Sequence, residues 1–80
     1  MTSPPPEACV VDTSGLLCPL PVIRTQDAIK ARQPGDRVLV HATDPGTLHD
    51  IPAWCRVHGH DLLRAEDTGD RHYEFEIVVR

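Results

Sequence analysis

Short breaks rich in glycine and proline divide this chain into six segments, and their spacing limits the fold more than any other feature. The breaks lie at Thr13–Gly15, Pro34-Gly35, Asp44–Gly46, Gly59 and Thr68–Asp70. No segment approaches the ~20 apolar residues that a bilayer-spanning helix needs. A chain of 80 residues has room for one modest hydrophobic core. We therefore expect one domain built from short helices and strands.

Four of the six segments are typical of β-strands. They cover residues 8–12, 37–42, 61–67 and 72–80, and the last one alternates apolar and polar side chains most regularly. Thr68-Gly69-Asp70 predicts a hairpin between the last two strands. Since every second residue at the start of the last strand is polar, we expect a sheet that is covered on one face only.

The remaining two segments predict helices at about residues 19–32 and 47–58. Pro34-Gly35 ends the first helix, and Asp44 offers an N-cap to the second. Pro52 lies inside the second helix, so either the helix is kinked there or its regular part begins near Asp50. Four residues at helical spacing predict the buried face of the second helix: Leu48, Ile51, Cys55 and His58.

The order βαβαββ predicts an α+β fold. We expect a two-layer sandwich in which a mixed four-stranded sheet carries two helices on one face. Residues 8–80 form the single predicted domain, and residues 1–7 are predicted to be a flexible proline-rich tail. This tail contains no basic residue, so it does not resemble a secretory signal, and we expect a cytoplasmic protein.

The charge balance bears on the kind of partner. Eight basic residues stand against twelve acidic ones, for a formal net charge of -4. Nucleic acids and anionic membranes attract basic surfaces, so neither is an expected partner.

Three cysteines cannot all pair within one chain, and in a reducing compartment they are free, catalytic or metal-bound. Cys18 precedes Pro19 and is predicted to be the N-cap of the first helix. Since Pro19 and Pro21 lack an N–H, the Leu20 N–H is the predicted partner of the sulfur. The positive end of the helix dipole would then lower the pKa of the Cys18 thiol. The alternative is that Cys18 is structural and that the prolines only begin the helix.

The other candidate residues have simpler interpretations. Cys9 and Cys55 are predicted to be structural thiols in the interior, with a redox or resolving role for Cys55 as the alternative. A Cys55, His58 and His60 cluster lacks the second pair of ligands that zinc sites usually have, so no metal is expected. Trp54 is predicted to lie at the edge of the core, with a partner contact as the alternative.

The sequence also resembles the TusA/SirA-like sulfur carrier proteins. The resemblance covers about residues 9–80 and rests on an ordered set of residues rather than on one motif. The set consists of Asp12, Gly15 and Leu16, the Cys-Pro-x-Pro motif Cys18-Pro19-Leu20-Pro21, Gln33-Pro34-Gly35, Asp44-Pro45, and Asp50-Ile51-Pro52 followed by Cys55.

The resemblance implies a sulfur-transfer carrier rather than a free-standing enzyme. Cys18 would accept sulfane sulfur as a persulfide from a cysteine desulfurase or a rhodanese-type donor. The acceptor would be a relay protein such as a DsrE/TusBCD-like complex, and no cofactor is implied beyond the covalent persulfide. Pro19, Leu20 and Pro21 would position the cysteine, and the candidates for partner docking are Ile23, Arg24 and Asp44.

The implied pathways are sulfur oxidation, tRNA thiolation and molybdenum cofactor supply. Leu20, Gln26 and Asp27 depart from the acidic and basic residues found at these positions in tRNA-thiolation members. This favours sulfur oxidation or general sulfur trafficking. The alternative function is a regulatory or protein-binding module that does not use its thiol.

Overall fold

A computed structural model describes residues 9–80 of the chain. The predicted proline-rich tail at residues 1–7 lies outside the described residues. The elements follow the predicted βαβαββ order: β1 Cys9–Thr13, α1 Leu20–Lys30, β2 Arg37–Ala42, α2 Thr47–His58, β3 Asp61–Gly69 and β4 His72–Val78. Neither helix of the described part is long and apolar enough to cross a membrane.

The four strands form one mixed sheet in the order β1-β2-β4-β3. β1 and β2 are parallel, whereas β4 is antiparallel to both of its neighbours. α1 packs mainly on β1 and β2, and α2 packs on β3 and β4. The predicted two-layer α+β sandwich is confirmed.

The predicted hairpin joins β3 and β4, but β3 continues to Gly69, so the turn lies at Asp70 and Arg71 rather than at Thr68-Gly69-Asp70. Both residues have positive φ angles, 53° and 61°. Positive φ at both central positions is the type I′ geometry, whose twist matches that of the flanking strands.

The core lies between the two central strands and the helices. Every second residue of β2 and β4 faces the helices and is buried: Val38, Val40, Ala42, Tyr73, Phe75 and Ile77. Alternate residues of the two strands include ion pairs on the open face, such as Arg37 of β2 with Glu76 of β4 at 3.0 Å. The alternation predicted from the sequence is therefore present in both strands.

The buried face of α1 is a narrow stripe that includes one polar residue. Its buried residues are Pro21, Thr25 and Ile29, which recur every four positions. The hydroxyl of Thr25 donates a hydrogen bond to the Pro21 carbonyl at 2.8 Å, so this buried polar group is satisfied.

α2 runs through Pro52 from Thr47 to His58. Ile51 and Cys55 are buried as predicted, but Leu48 is 38% exposed and His58 is exposed. The prediction was wrong for these two because the face that meets the sheet begins at Thr47. The Thr47 hydroxyl donates to the Asp44 carbonyl at 2.7 Å, which allows a polar side chain to be buried there.

Candidate functional site

The loops that follow β1 and β2 meet at one edge of the sheet. Because β1 and β2 are parallel, their carboxyl ends lie at the same edge, and each loop leads into the N-terminus of a helix. Three hydrogen bonds join these two regions: Thr13 Oγ1 to the His41 carbonyl at 2.7 Å, the Gly15 N–H to Thr43 Oγ1 at 2.8 Å, and the Cys18 N–H to Asp44 Oδ2 at 2.8 Å.

Asp44 connects the two loops. While Oδ2 accepts the hydrogen bond from Cys18, Oδ1 accepts one from the Gly46 N–H at 3.2 Å. The N-cap of α2 is Gly46, with no side-chain cap, so the prediction that Asp44 caps this helix was wrong. Asp44 instead fixes the backbone of Cys18, and its partner-docking role stays a prediction.

The start of α1 also differs from the prediction. Pro19, rather than Cys18, is the N-cap residue, and no side chain caps the helix. The Leu20 N–H donates to the Leu17 carbonyl at 2.9 Å. The predicted hydrogen bond from Leu20 to the sulfur is therefore absent, because a backbone turn has taken that donor. The Cys18–Pro19 peptide bond is cis.

The partner of the Cys18 thiol is Asp50, in the first turn of α2. Sγ lies 2.9 Å from Asp50 Oδ2, and the side chain of Cys18 is exposed. The hydrogen bond to Asp50 raises the pKa of the Cys18 thiol, with further contributions from desolvation and from the negative charges of Asp50 and Asp44. The predicted lowering of this pKa was wrong, since it considered only the helix dipole and no nearby carboxylate.

Sequence reasoning did not assign Asp50 to the site. It lies 32 positions from Cys18, and only the tertiary fold brings it to the thiol. The one signal in the sequence was its place in the ordered set of family residues.

Exposed apolar side chains lie on the elements that carry Cys18 and Asp50. Three of these side chains lie on the segment leading into α1 or on its first turn: Leu17, Leu20 and Ile23. A fourth, Leu48, lies on α2. Arg24 is exposed on α1, whereas Pro21 is buried. Leu20 and Ile23 are therefore open to contact, and the docking roles of Ile23 and Arg24 stay predictions.

The other two thiols have different surroundings. Cys55 is 1% exposed, and burial raises its pKa to about 11. Cys9 is half-buried on β1 and packs against the core. Among the described residues, Cys18 is the one cysteine classed as exposed.

The two histidines near Cys55 lie against the ring of Trp54. The Trp54 ring lies 4.6 Å from the ring of His58 and 5.3 Å from that of His60, centroid to centroid. Its Nε1 donates to Gln26 Oε1 at 3.3 Å. Trp54 is half-buried and packs against the core, as predicted. Residues 9–80 contain no group of three or more His, Cys, Asp or Glu side chains placed to hold a metal ion.

Comparison with known proteins identifies the family. Residues 10–80 match the sequence profile of the family described as "Sulfurtransferase TusA". The chain belongs to the TusA family. It is 46% identical over 61 residues to the Bacillus subtilis "Putative sulfur carrier protein YrkI", covering 76% of this chain and 81% of that protein.

Another TusA-family relative, the "Putative sulfur carrier protein NMA0882" from Neisseria meningitidis, is 41% identical over 70 residues. This alignment covers 88% of this chain and 90% of the relative. The crystal structure of a SirA-like protein from Desulfitobacterium hafniense has the same fold, with a TM-score of 0.77 at 22% identity. The match covers 88% of this chain and 95% of that one. The resemblance to TusA/SirA-like sulfur carriers is confirmed.

Proposed function

We propose that this chain carries sulfane sulfur as a persulfide on Cys18 and relays it between proteins in the cytoplasm. The observation that supports this assignment best is the exposure of Cys18 compared with the burial of Cys55. Two macromolecules must bring their reacting sulfurs into contact, and an interior thiol cannot meet that requirement. Membership of a sulfur carrier family gives independent support.

The transfer chemistry is thiol exchange. The Cys18 thiolate attacks the outer sulfur of the donor's persulfide, and a new S–S bond forms at Cys18. The donor's S–S bond breaks, and its electron pair leaves with the donor cysteine as a thiolate. The proton that Cys18 releases goes to solvent or to that leaving thiolate. Since the sulfur moves as a sulfane atom, no external oxidant or reductant is consumed.

Unloading repeats the same exchange in the opposite sense. An acceptor thiolate attacks the outer sulfur of the Cys18 persulfide, and the Cys18 thiolate leaves. The donor is a cysteine desulfurase or a rhodanese-type protein, and the acceptor is a relay protein such as a DsrE/TusBCD-like complex. The covalent sulfur is the one group that this scheme requires the chain to carry.

The destination of the sulfur is proposed from the residues near Cys18. Leu20, Gln26 and Asp27 favour sulfur oxidation or general sulfur trafficking over tRNA thiolation. Leu20 is exposed and Gln26 bonds to Trp54, so both side chains contribute a neutral surface to α1.

Loading can be tested by intact mass spectrometry. The protein is incubated with a cysteine desulfurase and cysteine, and in parallel with a rhodanese-type donor and thiosulfate. We expect a gain of one sulfur atom that dithiothreitol removes and that Cys18→Ala abolishes. A wild-type protein that stays unmodified with every donor would overturn the proposal.

The alternative, a binding module whose thiol is unused, draws support from the contact with Asp50. A thiol held by a carboxylate is less reactive than a free one, because the thiolate is the nucleophile. A slow reaction of Cys18 with alkylating agents is therefore expected under both functions and does not separate them. Cellular complementation separates them, since only the binding module keeps its function in the Cys18→Ala variant.

A further inference from the structure

The contact between Cys18 and Asp50 opposes the usual activation of a transfer cysteine. Reactive cysteines commonly lie beside Lys, Arg or protonated His, which favour the thiolate. Here the partner of the thiol is a carboxylate, with Sγ and Oδ2 separated by 2.9 Å. An ionised carboxylate only accepts hydrogen bonds, so this contact requires the sulfur to keep its proton.

A second carboxylate strengthens the same effect. Asp44 Oδ2 accepts a hydrogen bond from the Cys18 N–H, which places its negative charge beside the thiol. Asp50 and Asp44 are the charged groups that act on the Cys18 thiol, and both oppose its ionisation. The first turn of α1 contains no acidic side chain. The positive end of the α1 dipole favours the thiolate and so opposes the effect of the two carboxylates.

Neither carboxylate is neutralised within the described part of the chain. The ion pairs of residues 9–80 involve other acidic residues: Asp61, Glu66, Glu74 and Glu76. The negative charge next to Cys18 is therefore not offset by a basic side chain at contact distance.

We infer that Asp50 is a positioning residue that keeps the Cys18 sulfur protonated until a partner protein docks. This inference rests on the proposed function, because it describes when the carrier thiol becomes nucleophilic. In the free protein, the hydrogen bond suppresses attack by small electrophiles and oxidants. A docked partner that draws the Asp50 carboxylate away from Sγ, or neutralises its charge, releases the thiolate at the interface.

The proton balance of this step is simple. When Asp50 moves away, the Cys18 S–H proton passes to solvent or to the departing donor thiolate, and the carboxylate is unchanged. Asp50 is not required to take up the proton itself.

The test is the rate of Cys18 alkylation by iodoacetamide as a function of pH. The protein carries Cys9→Ser and Cys55→Ala so that one thiol is followed, and circular dichroism verifies folding. Asp50→Asn removes the charge while keeping the size. We expect the midpoint of its pH profile to fall and its rate at pH 7 to rise severalfold. Asp27→Asn makes the same change in net charge on the exposed surface of α1 and should leave both quantities unchanged.

Asp50→Glu is the second variant. It keeps the charge, so its alkylation should be slower than that of Asp50→Asn. An Asp50→Asn midpoint that is unchanged or higher would overturn the inference. The inference would also be overturned if Asp27→Asn lowered the midpoint as much as Asp50→Asn does, because net charge alone would then explain the change.

Loading by a persulfide donor separates this inference from the proposed function. A small-molecule donor, glutathione persulfide, should load Asp50→Asn faster than the wild type. If neither protein is loaded by any donor while the alkylation midpoint still falls, the carrier function is overturned and the role of Asp50 in holding the thiol is supported.

Discussion

Asp44 accepts a hydrogen bond from the backbone N–H of Cys18 at 2.8 Å, although the two residues are 26 positions apart in the sequence. This bond fixes the loop before α1 to the loop before α2. The position of the thiol therefore depends on the β2–α2 connection as well as on its own prolines.

Replacing Asp44 should lower the free energy of unfolding. Asp44→Ala leaves the Cys18 and Gly46 N–H groups without their acceptor, and we expect a loss of about 1 kcal/mol in the free energy of unfolding. Urea denaturation followed by circular dichroism measures it. Asp27→Ala, on the exposed surface of α1, should change the value by less than about 0.5 kcal/mol. An equal effect of both substitutions would contradict the role given to Asp44.

The core should depend on Phe75, which is fully buried at the centre of β4. Phe75→Ala removes the largest fully buried side chain of the core, and such a change typically costs about 3–5 kcal/mol. For a domain of this size that is a large part of the total, so we expect a partly or fully unfolded protein. Leu63→Ala, on the exposed surface of β3, should leave thermal unfolding nearly unchanged. A small effect of Phe75→Ala would place the core elsewhere.

Alkaline conditions should destabilise the fold through Cys55. Burial raises its pKa to about 11, whereas a thiol in the unfolded chain ionises near ~8.5. Between these values the unfolded state loses a proton that the folded state keeps, so stability is complete below the lower value and decreases as the pH rises. Denaturant midpoints measured from pH 8 to 11 should fall less steeply for Cys55→Ala than for the wild type. If the midpoints of the two proteins fell equally with pH, Cys55 would not be the cause of the lost stability.

Acidic conditions should destabilise the fold through protonation of His60. Its pKa is lowered, first by burial and then by the neighbouring His58, and its Nδ1 accepts a hydrogen bond from the Arg80 N–H at 3.0 Å. The unfolded state therefore takes up a proton first, and stability falls as the pH drops below ~6.5. His60→Gln should weaken this dependence, as measured by urea denaturation at several pH values. The exposed His49→Gln is the control, and an equal effect of both would rule His60 out as the cause.

The fold could be predicted because local signals agreed with the tertiary structure. The regular alternation from His72 onward defined β4, and Thr68-Gly69-Asp70 marked the hairpin. The buried face of α2 was predicted only in part. A buried threonine, Thr47, is allowed by its hydrogen bond to the Asp44 carbonyl, and hydrophobic periodicity does not detect such a bond.

The site was predicted less completely, and for a physical reason. The Cys18-Pro19 step predicted that Cys18 lies at the start of the first helix, and the helix dipole suggested an ionised thiol. The contact with Asp50 reverses that expectation, and it forms only when α2 packs beside α1. A local sequence pattern indicates the helix dipole at Cys18, but it does not indicate a carboxylate that is distant in the sequence and opposes the dipole.

The central claim is that Cys18 is the cysteine that carries sulfur, and peptide mapping tests it most directly. Protein loaded by a cysteine desulfurase is alkylated, digested and analysed by tandem mass spectrometry. We predict that the added sulfur lies on the peptide that contains Cys18, and that Cys9→Ser and Cys55→Ala variants load as the wild type does. Sulfur found on Cys9 or Cys55, or full loading of Cys18→Ala, would contradict the account.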